Sequence, residues 1–442
     1  MKELPLYNAI KRYAEGAPAR FHMPGHKGAI SLFDVTEVNG TDDLHSPSGP
    51  ILESEKMCAK ALGAREGFFL INGSSAGNLA MLSLLKPGSR VLLGRNCHKS
   101  VINGIALAGL DHVPVYPDER GVFSAENIVA ALEKYPCEAV FITSPAYNGY
   151  VSPIDEIAEA AHSRGALLFV DCAHGAHFAF SERLPGVPAA ADAWCVSTHK
   201  TLSALTQTAM LLIGKNCTIE RAKVQRSLSL YQSTSPSYML MLSIESSVLK
   251  PEDWDSHIDR IVHLRNEFSA IPGIEVAEGY GNLSQDITRL YIMADGSTGY
   301  ELACYLEDKG IVPEMADMEG VTLITSPKDP DEWYEMLIEA LKVFSPITKK
   351  PRPILPPLEN HRGEKLLSVR EAVLGETESI PLASSTGRIC ACAVGCYPPG
   401  VAALFPGEVI TEDAVSYLLG EEAAGAELFG TDNGNVTVVK NA

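Results

Sequence analysis

The chain has 442 residues, 46% hydrophobic and 21% charged, with 55 acidic against 36 basic side chains and a net charge of −19. One hydrophobic core does not serve that length, so two or three domains are expected. The acidic balance argues against nucleic acid and suits cationic small molecules, and no apolar run is long enough to imply a membrane partner.

Residues 1–50 are rich in Gly, Pro and His with little periodicity. The opening "MKELPLYNAIKRYAEG" has no apolar signal core. A short helix over 6–13 is predicted, then an extended arm. From residue 51 helix and strand patterns alternate. "ILESEKMCAKALG" predicts a helix, "GFFLIN" a strand, "SAGNLAMLSLL" a helix, "RVLLG" a strand and "SVINGIALAG" a helix. "HVPVYP", "AVFIT" and "LLFVD" are further apolar strands, the last preceded by the helix "IDEIAEAAHSRG" with its Gly stop. "DAWCVST" and "TAMLLIG" add two more. Strands separated by helices imply βαβ units and a mostly parallel sheet.

After Lys250, "PEDWDSHIDRIVHLRNEFSAI" reads as a long connecting helix, and residues 272–345 as a smaller α/β unit. "KKPRPILPPLEN" is a Pro-rich linker, and residues 361–442 form a last unit with turns in "YPPGVAALFPGE". The expected division is an arm (1–50), a large domain (51–260), a small α/β domain (261–350) and a C-terminal domain (351–442). The ten cysteines lack paired CxxC spacing and fit a reducing cytoplasm. The densest group, "CACAVGC", reads as alternating small residues in a buried strand, so no metal is expected.

Ligands of such sheets bind beyond the carboxyl ends of the strands. "FFLINGSSAGN" runs from a strand through Gly73, Ser74 and Ser75 into a helix, where backbone N–H groups and small hydroxyls make an anion site. A Ser-capped strand–helix turn has the same pattern. Asp171 ends the apolar strand "LLFVD", a costly place for a carboxylate without a charged partner; a helix cap or structural ion pair is the plainer alternative. Lys200 sits among Ser197, Thr198, His199, Thr201 and Ser203, a poor setting for a solvated ammonium. Together, a strand-end Asp, a later Lys beside Ser and His, and an upstream Gly-Ser cradle describe a pyridoxal-phosphate enzyme, in which Lys200 holds the cofactor and Asp171 pairs with its ring nitrogen. His98, in "RNCHKS", is placed to stack on the ring.

These stretches resemble the ornithine/lysine/arginine decarboxylase family of fold type I pyridoxal-phosphate enzymes. The resemblance runs through "FHMPGHKG" (21–28), "DDLHSPSGPI" (42–51), "NGSSAGN" (72–78), "NCHKS" (96–100), "DCAHGAH" (171–177), "STHKTLSALTQTAML" (197–211), "QSTSPSYMLMLSIE" (232–245) and "YPPG...FPGE" (397–408). It implies an aspartate-aminotransferase-like fold with a mostly parallel seven-stranded sheet and smaller C-terminal α/β domains. It implies pyridoxal 5′-phosphate as cofactor, held by Lys200, Asp171, Ser74, Ser75, Ala76, Ser197, His199 and His174, with His98 and Ala173 on opposite ring faces. Lys200, His98 and Asp171 are the catalytic candidates.

The resemblance further implies a homodimer in which Thr234 or Ser235 donates a phosphate contact across the subunit boundary. The arm, with His22, His26 and Lys27, would wrap the dimer and line the site. Glu314, after an expected strand "GIVPE", resembles an acid that meets the substrate's distal cation; Asp42, Asp43 and Glu245 are rivals. Two departures stand out. Ala76 replaces a common hydroxyl, and the N-terminal wing of the large decameric members has no counterpart, which favours a dimer. The implied reaction is decarboxylation of arginine, lysine or ornithine in the cytoplasm, serving polyamine synthesis or acid resistance; an aminotransferase or lyase of the same fold is the alternative.

Overall fold

The computed structural model describes residues 4–278, 284–345, 363–397 and 400–440. The expected linker 349–360, and Pro398 and Pro399 of the expected turns, lie outside them.

Helix α1 (Pro5–Glu15) opens the chain, and the rest of the arm is turns and bends up to α2 (Pro50–Ala61). Then come β1 (Glu66–Leu70), α3 (Gly73–Leu82), β2 (Arg90–Gly94), α4 (Lys99–Ala108), β3 (Asp111–Val115), α5 (Ala125–Lys134), β4 (Ala139–Thr143), α6 (Ile154–His162), β5 (Leu167–Asp171), β6 (Ala193–Val196), α7 (Thr198–Thr201) and β7 (Ala209–Ile213). These strands form one seven-stranded sheet in the order β1-β7-β6-β5-β4-β2-β3. The pairs from β6 through β3 are parallel, and β7 runs antiparallel to both of its neighbours.

The central strands β4, β6 and β7 are fully buried, largely apolar runs because both sheet faces are covered there, whereas the edge strand β3 is only partly buried. Along β5, Leu168 and Val170 enter one core and Phe169 the other. Along β6, Trp194 and Val196 take the first core while Ala193 and Cys195 take the second. Truncating such a fully buried aromatic as Phe169 to Ala costs about 3–5 kcal/mol. Helix α3 lies very close to the sheet. A Cβ on Gly77 would meet Leu70 Cδ1 at 2.9 Å and Cys195 Cβ at 3.0 Å, so this glycine sets the height of the α3 N-terminus.

Helices α8 (Arg221–Leu228) and α9 (Tyr238–Leu249) lead to α10 (Trp254–Ser269), which is shared between cores. Trp254 and Ile258 pack into the large unit; Ile261, Leu264 and Phe268 pack into the next. That unit holds β8 (Ile274–Val276), β9 (Arg289–Ala294), α11 (Gly299–Asp308), β10 (Met315–Ala316), β11 (Gly320–Ile324) and α12 (Asp331–Val343). Its four-stranded sheet, β10-β11-β9-β8, is antiparallel throughout.

The last unit contains α13 (Val369–Leu374), β12 (Thr377–Pro381), β13 (Val394–Tyr397), β14 (Val401–Leu404), α14 (Glu412–Ala424), β15 (Glu427–Phe429), β16 (Thr431–Asp432) and β17 (Asn435–Val439). They make two small sheets, β12-β17-β16 and β14-β13-β15. "VAAL", expected as part of a turn, is strand β14, because Ala402 finds buried partners in a core of the large unit while Ala403 and Leu404 pack in their own core. Of "CACAVGC", Cys390 and Cys392 precede the strand and Cys396 lies within it. The unit docks on the large sheet through the buried Arg95–Glu408 pair (3.1 Å), with Arg95 over the Phe405 ring at 3.5 Å. A bridge from His98 to Val401 completes the contact.

Candidate active site

Asp171, the last residue of β5, is 3% exposed. Its carboxylate accepts from Asn78 Nδ2 (2.8 Å), Ala173 N (3.2 Å) and Cys195 Sγ (3.6 Å). Among the described residues no cation forms an ion pair with it. Asn78 comes from α3 and is itself held: Cys195 Sγ donates to its Oδ1 (3.0 Å), and its Nδ2 also reaches Ser100 Oγ (3.0 Å). Ser100 in turn contacts His98 Nδ1 (2.8 Å), and His98 caps α4 by accepting from Ser100 N. One polar chain therefore ties His98 to Asp171. Burial lowers the His98 pKa, with Asp171 opposing and Lys200 adding.

Lys200 lies on α7, the single turn between β6 and β7, and is partly buried. Its Nζ is 2.9 Å from His174 Nε2 and 5.5 Å from the centre of the Tyr147 ring, which packs 4.5 Å from His174. Burial lowers the Lys200 pKa; Asp171 and Glu314 oppose that, and Arg289 adds to it. His174 is fully enclosed, and burial, then Lys200 and Arg289, hold it well below its ordinary range, so it is neutral. Arg289 reaches His174 Nδ1 at 3.4 Å and can only donate. That contact leaves the ring proton on Nε2, which faces Lys200 Nζ.

A glycine turn with small hydroxyls lies at the start of α3. Helix α3 begins at Gly73, whose φ of +73° suits glycine, and a Cβ there would meet nothing within 4 Å. The N-cap is Asn72, not a serine, and it makes no side-chain cap bond. Ser74 and Ser75 therefore stand in the first turn, and Ser197 Oγ donates to Ser74 Oγ at 3.0 Å. Ala76 is buried and offers only its backbone N–H there. His199 spends Nδ1 on Thr208 O (2.7 Å).

The other expected residues divide. Glu314 is exposed, and its charge acts on Lys200, Tyr147 and Arg289, which puts it in the neighbourhood of the site. "GIVPE" is not a strand. The chain leaves α11 through a turn, and pairing begins at Met315. Asp42 and Glu245 serve the backbone instead. Asp42 accepts from Ser48, Gly49 and Ile51 N–H groups, and Glu245 accepts from Leu6 and Tyr7 N–H groups at 2.8 Å, holding the start of α1. Asp43 accepts from His45 N at 2.8 Å.

His22 and His26 are engaged inside the arm, with Tyr13 and with Asp34 (3.0 Å), and Lys27 Nζ donates to His22 O (2.6 Å). Thr234 and Ser235 are exposed on a loop pinned near the α3 N-terminus by Gln232 on Ile71 N (2.8 Å) and by Ser233 N on Asn72 Oδ1 (3.2 Å). Sequence reasoning gave no role to Asn78, Ser100, Cys195, Tyr147 or Arg289. Asn78 stood four residues after Ser74 on the same helix, a spacing that carries a signal. Arg289 lies 115 residues beyond His174 and had none.

Residues 4–294 match the family described as Orn/Lys/Arg decarboxylase, major domain, and residues 364–434 match its C-terminal domain. The chain is 32% identical to the protein YaaO of Bacillus subtilis (strain 168), covering 94% of this chain and 93% of that one. It is 29% identical to the arginine decarboxylase of the same organism, over 99% and 97% of the two chains. In fold it is similar to the constitutive lysine decarboxylase of E. coli, with a TM-score of 0.83, 19% identity, and coverage of 99% of this chain and 82% of that one. An alanine–glyoxylate aminotransferase from Nostoc sp. shares the fold at a TM-score of 0.53 and 16% identity, over 66% and 85% of the chains.

Proposed function

Because the chain belongs to the Orn/Lys/Arg decarboxylase family, we propose that it decarboxylates a basic L-amino acid, arginine foremost, with pyridoxal 5′-phosphate as cofactor. The observation that carries this reading is Asp171: a buried carboxylate that forms no ion pair among the described residues and whose charge acts on the Lys200 amine. Burying a charge without a partner is unfavourable, and a protonated pyridine nitrogen is the partner that fits. The open Gly73 turn, the uncapped α3 N-terminus and the Ser74–Ser197 hydroxyl pair fit a phosphate. Arginine is favoured because the relatives named arginine decarboxylase align over nearly their whole length.

Pyridoxal 5′-phosphate, when bound, supplies an electron sink for the charge left at Cα as carbon dioxide departs. Lys200 would hold it covalently, and Asp171 would keep a proton on its ring nitrogen. Ser74, Ser75, Ser197 and His199 would hold its phosphate, with Ala76 contributing only an N–H. His98 and Ala173 would flank the ring. His174 would aim the Lys200 amine, and burial, which lowers the pKa of that amine, favours its acting as a nucleophile. Tyr147 would shield that amine from one side, its ring lying 5.5 Å from Nζ. Glu314 would bind the substrate's distal cation.

Exposed apolar side chains on the arm, Phe21 at 96% and Ile30 at 82%, support a homodimer in which the arm and Thr234 or Ser235 complete the neighbouring site. No described helix is long and apolar enough to cross a membrane, and a cytoplasmic location is part of this proposal, as is the four-part division of the chain given above. The test is carbon dioxide release from arginine, lysine and ornithine, with neutral amino acids as controls. Release from none of the three, or keto-acid formation in its place, overturns the reading.

A further inference from the structure

A cavity of about 340 Å³ lies where the large, small and C-terminal units meet. Tyr147 lines it, and the same ring lies 5.5 Å from Lys200 Nζ, so the chamber is one aromatic ring away from the amine. Its lining is acidic. Asp118 and Glu119 are exposed, Asp317 is half-buried, and Glu421 on α14 is 5% exposed. Glu421 accepts from Tyr300 OH (2.8 Å), and Asp317 accepts from Tyr291 OH (2.8 Å). Among the described residues no cation forms an ion pair with either. The basic residue in the lining, Arg120, lies over the Tyr150 ring at 5.6 Å.

A second, independent feature points the same way. Thr143 ends β4, is 9% exposed and lines the chamber, yet its hydroxyl has no hydrogen-bond partner. The buried amide oxygens of Asn96 and Asn148, in the same lining, also have none. The Asn96 orientation is set by its Nδ2, which donates to Gly121 O at 3.0 Å. Unmade hydrogen bonds at buried oxygens are a standing cost that a donor-rich occupant removes. Carboxylates beside unused acceptors suit a guanidinium or alkylammonium, which carries only donors.

We propose that this chamber binds the charged end of a small guanidinium or alkylammonium compound, with Glu421 and Asp317 supplying charge and Thr143 a hydrogen bond. The proposal rests on the basic-amino-acid reading above and extends it to the C-terminal unit. Two sources have this chemistry: the distal group of the substrate itself, or a free amine acting as an effector.

Calorimetric titration of the cofactor-loaded protein with 4-aminobutylguanidine, the amine left when arginine loses carbon dioxide, reads binding without turnover; 1,5-diaminopentane is the parallel probe. Saturable binding is expected, weakened 10-fold or more by Glu421→Gln and several-fold by Thr143→Val. The isosteric Thr143→Val carries the test if Glu421→Gln does not fold. A KM for arginine that rises in step, with kcat retained, identifies the substrate's distal group as the occupant. An unchanged KM with loss of inhibition by the amine identifies an effector site. Wild-type amine affinity in both variants, or no binding of either probe to the parent protein, overturns the proposal. A protein that binds amine through Glu421 but releases carbon dioxide from no basic amino acid keeps the chamber and removes the decarboxylase reading.

Discussion

Two carboxylates are buried near the centre of this molecule, and their surroundings differ in one respect. Asp286, 0% exposed, ion-pairs with His177 (3.0 Å) and Arg289 (3.9 Å) and accepts from Thr288 N–H and hydroxyl. Burial alone would raise its pKa, but His177, Arg289 and Thr288 together hold it far below the ordinary carboxylate range. Asp171 has neutral donors only. A carboxylate that brings a cation of its own, as Asp286 does with Arg289, has its charge partly offset in the folded chain. One that does not is waiting for a positive group from elsewhere, and that distinguishes a structural acid from a ligand-binding one.

The sharpest way to break the comparison is at the amine beside Asp171. Lys200→Ala is expected to abolish turnover and the cofactor that stays covalently attached after borohydride reduction. Attachment persisting in that variant, read by mass spectrometry, would remove Lys200 from its role. Next come the two acids themselves. Asp171→Ala should lower kcat on the order of 1000-fold, about 4 kcal/mol, and weaken cofactor binding while leaving the melting temperature close to the parent's. Asp286→Asn should do the reverse: stability falls by about 3–5 kcal/mol, because a buried ion pair loses one member, while kcat per folded molecule changes little. Like behaviour of the two variants in paired melting and rate measurements would dissolve the distinction.

A smaller effect is expected at the rim. Glu314→Gln should lower kcat/KM for the preferred basic amino acid by roughly 10-fold, about 1.4 kcal/mol, at unchanged cofactor content. Full activity in that variant would shift the role to another acid, with those of the chamber next in line.

A pH dependence is expected on the Asp286 side. His257 is buried, and burial, with Arg260 and His177, lowers its pKa from 6.5 to about 4. Between those values the unfolded chain binds a proton that the folded chain refuses. Stability therefore falls as pH drops from 6.5 through 4, and the contribution is complete above 6.5. In urea titrations His257→Asn should flatten that limb, whereas Asp171→Ala should leave it in place. A His257→Asn limb as steep as the parent's would assign the acid loss to other groups.

Much of this site was readable before folding. The strands of the large sheet are local apolar runs, so their order along the chain, and Asp171 at the end of one, follow from short windows. The clustering of Lys200 with Ser197 and His199 is likewise local. The roles of Asp42 and Glu245 were not readable. Both are acids in suggestive blocks, yet one binds loop amides and the other binds amides 238 and 239 residues away. The turn expected at "VAAL" failed for a related reason: flanking Pro and Gly dominate the local pattern, while the strand is fixed by pairing with β13 and by a bridge to His98 in the large unit.

By itself, then, the order of residues determined the alternating α/β architecture, the position of Asp171 at a strand end and of Lys200 just beyond another, and the glycine turn that opens α3. Each depends on backbone conformation and burial over a few residues. Only the tertiary structure decided that Asp171 has no ion-pair partner among the described residues while Asp286 has Arg289, that Arg289 contacts the Nδ1 of His174, and that Glu421 from the last helix reaches a chamber beside Tyr147. Hydrogen bonds and charges act over a few ångströms whatever the separation in sequence, so the partner of a polar group is settled by which distant segments the packed sheets bring together.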